Sequence, residues 1–206
     1  MDLILVRHGQ TDSNLGMRYS GQTDSKLNEY GIKQVEHTAR MLYERFEGFA
    51  DSIYSSPLSR AYDSAKIIAR RFGMEESVII KASELAEVNF GVMEDLSHSE
   101  IIEQHPEEYK KWKEDWENYV VKNGESSRMV YDRVSVFFSE FIDAHDRGNH
   151  IFVMHWGTIA HTVSYLLDLG IHSYWRYRID NAGVMIIHVN DEKFCYLKEM
   201  NAFGSK

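Results

Sequence analysis

Two histidines stand in matching surroundings far apart in the chain. Leu3-Ile-Leu-Val-Arg-His8-Gly9 and Ile151-Phe-Val-Met-His155-Trp-Gly157 each place an imidazole just past a short apolar run, with glycine one or two residues on. A continuous apolar run of that length predicts a strand buried on both faces. In open α/β sheets, ligands bind outside the carboxyl ends of the strands, and parallel neighbours lie about 4.8 Å apart. If the two runs pair, both imidazoles converge on one ligand, which glycine allows the backbone to approach closely. Arg7 stands beside His8, and Arg60 falls in the first turn of a predicted helix. Guanidinium presents a planar fork that matches phosphate oxygens and stays charged at any working pH. Thr11 and Asn14, on the loop after His8, add neutral donors, and a helix N-terminus adds amide donors and a favourable dipole. Two histidines, two arginines and a helix start at strand ends predict a phosphate site.

The rest of the chain must position these groups. Leu3–Val6 and its flanks form the first predicted strand. From Asn28 to Phe46, the residues Ile32, Val35, Ala39, Leu42 and Phe46 recur every three or four positions, one face of a helix with Asn28 as N-cap. Positions 51–55 read as a short strand. Ser56-Pro57 then opens a second helix carrying Ala61, Ala65, Ile68, Ala69 and Phe72. Positions 78–80 suggest a third short strand. Positions 96–119 are acidic, aromatic and helical, with Trp112 and Trp116 four apart, a pair that reads as packing within a cap. Ser126 caps a long helix whose core face is Val130, Val134, Phe137 and Phe141, with Phe138 at its margin. A strand at 150–154, a helix bearing Ile159, Val163, Leu166 and Leu167, and a strand pair at 183–189 and 194–197 complete the pattern. Strands alternating with helices of this length predict an α/β fold. The expectation is a three-layer sandwich: a mostly parallel central sheet, helices on both faces, and a helical cap insert at about 95–123, all one domain over 1–206.

These residues resemble a known family. Leu5-Val-Arg-His-Gly-Gln-Thr-Asp-Ser-Asn14 is similar to the signature of the histidine phosphatase superfamily, which includes the cofactor-dependent phosphoglycerate mutases. The likeness continues in family order through Gly21-Gln-Thr-Asp24, Leu27-Asn-Glu-Tyr-Gly31, Gln34, Ser55-Ser-Pro-Leu-Ser-Arg-Ala61, Leu85-Ala-Glu-Val-Asn-Phe-Gly91, Gly124-Glu-Ser126 and Val153-Met-His-Trp-Gly157. By that resemblance His8 is the nucleophile that becomes phosphorylated, Glu87 is the general acid/base and His155 assists. Arg7, Asn14 and Arg60 bind the transferring phosphoryl group, with Thr11, Gly21, Gln22 and Trp156 around it. Glu84, three residues before Glu87, competes for the acid role, but the spacing Leu85-x-Glu87-x-x-Phe-Gly91 favours Glu87. The chain departs from the pattern twice. Trp156 stands where a second glycine is common, and Val92-Met-Glu-Asp95 replaces the frequent aromatic-Glu-Gly.

The chemistry places demands on these residues. To attack phosphorus, His8 must present a neutral ring nitrogen while an acceptor fixes its other nitrogen. Phosphoryl transfer is mainly positioning and neutralisation of the equatorial oxygens, which Arg7, Arg60 and a protonated His155 would supply. Glu87 would protonate the leaving oxygen and then activate water. Ten histidines raise the question of a metal, but none shows the i,i+4 pair with glutamate of a helical zinc site. No metal and no cofactor are expected.

Composition narrows the partners. The chain has 206 residues, with 23 Lys+Arg against 32 Asp+Glu, a net charge of −9. That balance argues against sequence-independent nucleic-acid binding. No apolar run approaches the roughly 20 residues that span a bilayer, and no secretory leader is evident, so a cytoplasmic protein without membrane attachment is expected. Its partner would be a small phosphorylated metabolite, and the chain a monomer or homodimer. Surplus acids in the cap, from Glu94 to Glu117, would repel polyanions and favour single phosphates. Hydrolysis of a phosphomonoester is the leading reading. A phosphoglycerate mutase is the alternative, disfavoured because so short a chain leaves little to shield a phosphoenzyme from water. A non-catalytic module that docks phosphorylated ligands would not need His8, His155, Arg7, Arg60 and Glu87 together.

Overall fold

The computed structural model describes residues 1–203. Six strands form one sheet: β1 (Asp2–Arg7), β2 (Ser52–Ser55), β3 (Ile80–Lys81), β4 (Asn149–Met154), β5 (Val184–Val189) and β6 (Cys195–Ala202), in spatial order β3-β2-β4-β1-β5-β6. β1, β2, β3 and β4 are mutually parallel, while β5 pairs antiparallel with both β1 and β6. The two histidine-bearing strands are therefore neighbours, in the register Arg7↔Met154.

Alternation along the strands builds the layers. Leu3, Leu5, Phe152, Met154, Met185 and Ile187 pack on one side of the sheet beneath helices α6 (Ser127–Ala144) and α7 (Trp156–Leu166). Ile4, Val6, Ile53, Ile151, Val153 and Ile186 pack on the other beneath α2 (Glu29–Arg45) and α3 (Ser59–Arg71). Both sides are apolar because both are covered. The result is the expected three-layer sandwich. A four-residue helix, α1 (Asp12–Leu15), follows β1, and the cap carries α4 (His98–Gln104) and α5 (Pro106–Glu114). Pro106 at the start of α5 lacks an amide hydrogen to continue α4, which breaks the predicted cap helix in two. The cap has its own small core of Met93, Ile101 and Val121, ringed by aromatic side chains. No helix among the described residues is long and apolar enough to cross a membrane.

Local details differ from the sequence pattern. The Ser126 cap forms as expected, its side chain accepting from Met129 N, but Phe138 rather than Phe137 lies fully buried beneath α6. Helix α3 begins at Ser59, not at Ser56-Pro57, because Ser56 N still bonds to Val153 O at 2.9 Å in continuation of the sheet. The α3 cap comes from a distant residue: Asp24 accepts from Ser59 N at 2.8 Å and from Ser59 Oγ at 2.6 Å. Of the predicted strand at 78–80, only Ile80 is in the sheet, where it and Lys81 pair with Tyr54 and Ser55 at the edge; Glu76–Val78 is a 3-10 turn.

Phe152 is the centre of an aromatic cluster, stacked on Tyr54 at 5.2 Å between centroids and meeting Phe138 and Phe141 at 5.0 Å. Phe152→Ala should cost about 3–5 kcal/mol, read as a lowered midpoint of urea denaturation. A loss under about 1 kcal/mol would show that the neighbouring rings close the gap.

Candidate active site

Three strand ends meet at one level. His8 N bonds to Met154 O at 3.0 Å, extending β1 past β4, and Ser56 does the same for β2. The imidazoles of His8 and His155 lie 5.1 Å apart, centroid to centroid, and both are buried. Gly9 and Gly31 make room for the turn that follows, since a Cβ on either would run into the other segment's backbone.

His8 Nδ1 lies 2.7 Å from the carbonyl oxygen of Gly9. A carbonyl can only accept, so Nδ1 carries the proton and Nε2 keeps its lone pair. Burial, then the charges of Arg60 and Arg7, hold the His8 imidazole well below its usual titration range. His155 is set the opposite way. Its Nδ1 accepts from Arg60 Nε at 3.2 Å, and its Nε2 donates to Ser56 Oγ at 2.8 Å. Burial first, then Arg60, His8 and Arg7, keep it well below the ordinary range as well. The positive charge anticipated on His155 is absent for a geometric reason, because the nitrogen facing Arg60 must accept.

The guanidinium groups supply the charge. Arg60 is 1% exposed and donates to Thr23 O at 2.9 Å and to Gly21 O. Arg7 donates from Nη1 to Ile179 O at 2.8 Å, and its buried Nε has no hydrogen-bond partner. Burial lowers Arg7 to about 10, against the pull of Glu87 and Asp180, so it remains a cation near neutrality. Asn14 Oδ1 accepts from Thr11 N and from Asn181 Nδ2, and Asn181 also reaches His8 O.

Glu87 is half-buried at the pocket wall, held by Val88 N at 3.0 Å and Gly157 N at 3.3 Å, the latter from the first turn of α7. A Cβ at position 157 would lie 2.6 Å from Glu87 Oε1, so glycine there is what lets the carboxylate sit against the helix. Behind it, Arg133 of α6 donates to the carbonyls of Glu84, Ala86 and Glu87 and pairs with Glu125. Glu84 does not line the pocket; its side chain accepts from Ser83 Oγ.

Together these groups line a pocket of about 650 Å³. The structure brings Arg7, His8, Asn14, Gly21, Arg60, Glu87 and Trp156 to it, with His155 beneath the floor. Thr11 is turned away: fully buried, it caps α1 by accepting from Asn14 N. Gln22 also lies outside the lining, its side chain donating to Glu87 O and its amide to Glu94. The cap's acids between Glu94 and Glu117 do not line the pocket either; Trp112 is what the cap contributes there, and Arg18 and Arg178 stand at the wall instead. Of those acids Glu94 stands near enough for its charge to act on Arg60, while the carboxylates at the wall itself are Glu87, Glu125 and Asp180. Glu94 also accepts from Gln22 N, Thr23 N, Thr23 Oγ1 and Phe90 N.

The family model of the histidine phosphatase superfamily (branch 1) matches residues 3–202. The chain belongs to this superfamily. Phosphoserine phosphatase 1 of Hydrogenobacter thermophilus is 32% identical over 196 residues, covering 95% of this chain and 90% of that protein. Among solved structures, the α-ribazole phosphatase of Shigella flexneri superposes with a TM-score of 0.89 at 27% identity, covering 100% of this chain and 98% of that one. A mycobacterial glucosyl-3-phosphoglycerate phosphatase, solved with VO3, gives 0.84 at 29% identity over 98% of both chains.

Ser56, Arg133 and Asn181 were not singled out from sequence. Ser56 lies inside a matched motif but has no feature of its own, while Arg133 and Asn181 reach the site only through the packing of α6 and of the loop before β5.

The same burial ties stability to pH. His161, inside α7, has neither ring nitrogen hydrogen-bonded, and burial lowers it to about 3. An unfolded histidine titrates near 6.5, so below that pH the unfolded chain binds protons that the native His8, His155 and His161 refuse. Stability should be flat above about pH 6.5 and fall as pH drops, by roughly 1.4 kcal/mol per pH unit for each such histidine. Urea titrations between pH 6 and 5 measure the slope. His161→Leu should reduce it by one histidine's share, and an unchanged slope would mean that His161 protonates in the native state.

Proposed function

We propose that the chain is a phosphomonoesterase that acts on a small phosphorylated metabolite through a phosphohistidine on His8. The observation that carries this reading is the tautomer of His8: the Gly9 carbonyl takes the Nδ1 proton and leaves the Nε2 lone pair beside two guanidinium groups. The Nε2 lone pair attacks phosphorus and the ester P–O bond breaks. Protonated Glu87 gives its proton to the departing alcohol oxygen. Water then attacks the phosphohistidine, Glu87 takes the proton, and inorganic phosphate leaves with His8 restored. Arg7 and Arg60 neutralise the equatorial oxygens throughout, and the free Nε–H of Arg7 supplies a donor already desolvated. His155 contributes hydrogen bonding and the placement of Arg60, not charge. No step requires a metal. The named relatives are phosphatases of phosphoserine, α-ribazole phosphate and glucosyl-3-phosphoglycerate, which supports hydrolysis of a monoester without selecting among alcohols.

Rapid-quench kinetics on nitrophenyl phosphate test this reading. His8→Ala should lower turnover at least about a thousandfold. Glu87→Gln should still release a burst of nitrophenol, a leaving group that needs no proton, and then stall as an acid-labile phosphoenzyme. Full turnover by the His8 variant would overturn the proposal, and so would the absence of phosphoenzyme in the Glu87 variant.

Arg133 acts through Glu87 rather than on substrate, since its donors all end on the 84–87 backbone and Glu125. Arg133→Ala should lower kcat for an alkyl phosphate about tenfold, or roughly 1.4 kcal/mol of barrier, with little change in KM. The rate of the nitrophenol burst, a step that needs no acid, should change little, and Arg133→Lys should restore part of the lost turnover. A burst slowed as much as turnover would assign Arg133 a general structural role instead.

A further inference from the structure

All four tryptophans of the chain form one cluster, and three of them line this pocket. Trp175 is the hub: its ring lies 5.7 Å from Trp116, 5.9 Å from Trp156 and 6.5 Å from Trp112, and 4.8 Å from Tyr174. These rings come from three separate places, the cap, the first turn of α7 and the 3-10 turn Ile171–Arg176. Cap packing alone accounts for Trp116, which lies outside the lining, but not for the others. Trp112, Trp156 and Trp175 all line the cavity that holds His8, and Trp175 is left 54% exposed. Elsewhere the core uses aliphatic and phenylalanine side chains, and none of the four indoles is fully buried. Large apolar rings exposed together beside a polar site mark a place where a ligand completes the packing.

We propose that this wall sets substrate class: the alcohol that carries the phosphate bears a planar heteroaromatic ring, which packs against Trp175 and Trp112. The proposal rests on the phosphatase reading above. Aromatic walls also hold quaternary ammonium groups, but the lining here sets Arg7, Arg18, Arg60 and Arg178 against Glu87, Glu125 and Asp180. That positive balance disfavours a cationic ligand and suits a neutral ring, on which guanidinium can also stack.

The test compares esters whose reacting bond is the same. Adenosine 5′-monophosphate and ribose 5-phosphate both present a primary alkyl phosphate on a ribose, and only the first carries a base. Stacking of one base on aromatic side chains predicts at least a tenfold higher kcat/KM for the nucleotide. Trp175→Ala should collapse that ratio toward one, and Trp175→Phe should keep part of it. Should Trp175→Ala fail to fold, the wild type still decides: free adenosine should compete with substrate while ribose does not. Equal rates for the two esters, or a preference for phosphocholine, would overturn the proposal while leaving the phosphatase reading intact. No turnover of any ester, nitrophenyl phosphate included, would overturn both.

Discussion

A buried guanidinium is the constraint around which this site is arranged. Arg60 is 1% exposed and among the largest fully buried side chains. Leaving such a charge without partners would cost several kcal/mol, a large share of a domain's net stability of about 5–15 kcal/mol. Its hydrogen bonds end on two carbonyls and one imidazole, not on a carboxylate. The carboxylates that oppose its charge, Glu87, Asp24 and Glu94, stand further off. Each of the last two also holds a piece of the cage. Asp24 caps the helix that carries Arg60, and Glu94 gathers the amides of Gln22 and Thr23, whose loop offers the carbonyls. The charge is thus stabilised without being neutralised, which leaves it able to meet an anion.

That choice fixes the state of the histidines. A dry setting first, and two nearby cations after it, make a charged imidazole unfavourable at both strand ends. The tautomers follow from single acceptors and donors: the Gly9 carbonyl for His8, Arg60 and Ser56 for His155. Two chemically identical side chains, 5.1 Å apart, are thereby given different free nitrogens. The cost appears in stability toward acid, because every proton refused by the native state is accepted by the unfolded one.

Much of this arrangement was legible in the residues. The buried strands at 2–6 and 150–154 and the helices that cover them follow from apolar periodicity, whereas the pairing of the two histidine-bearing strands is a condition that only the sheet order supplies. What periodicity could not show was the use of side chains across long sequence distances. Asp24 caps a helix 35 positions away, and Arg133 grips a loop 46 to 49 positions away. Thr11 has the right chemistry for phosphate, yet a capping box claims its hydroxyl. Composition alone cannot decide between those uses. At Val92-Met-Glu-Asp95, Glu94 accepts from the amides of Gln22 and Thr23, and Asp95 takes a left-handed conformation at φ 57°, the region that favours glycine.

Net charge and ligand charge are separate questions in this protein. A total of −9 describes the outer surface, whose acids are mostly solvated or paired with Arg18, Arg45, Arg128 and lysines at ordinary ion-pair distances. Such pairs are screened within roughly 8–10 Å at physiological salt. Arg60 is buried and Arg7 half-buried with its Nε enclosed, surroundings of low dielectric where field lines concentrate toward the pocket. The acids near them are each held by donors: Glu87 by two amides, Glu94 by three, Asp24 by Ser59 and Asp180 by Asn201. A carboxylate so engaged spends part of its field on its own donors and opposes an incoming phosphate less than its formal charge implies. An acidic protein can therefore carry a strongly anion-attracting pocket without contradiction, provided the cations are buried and the excess acids remain outside.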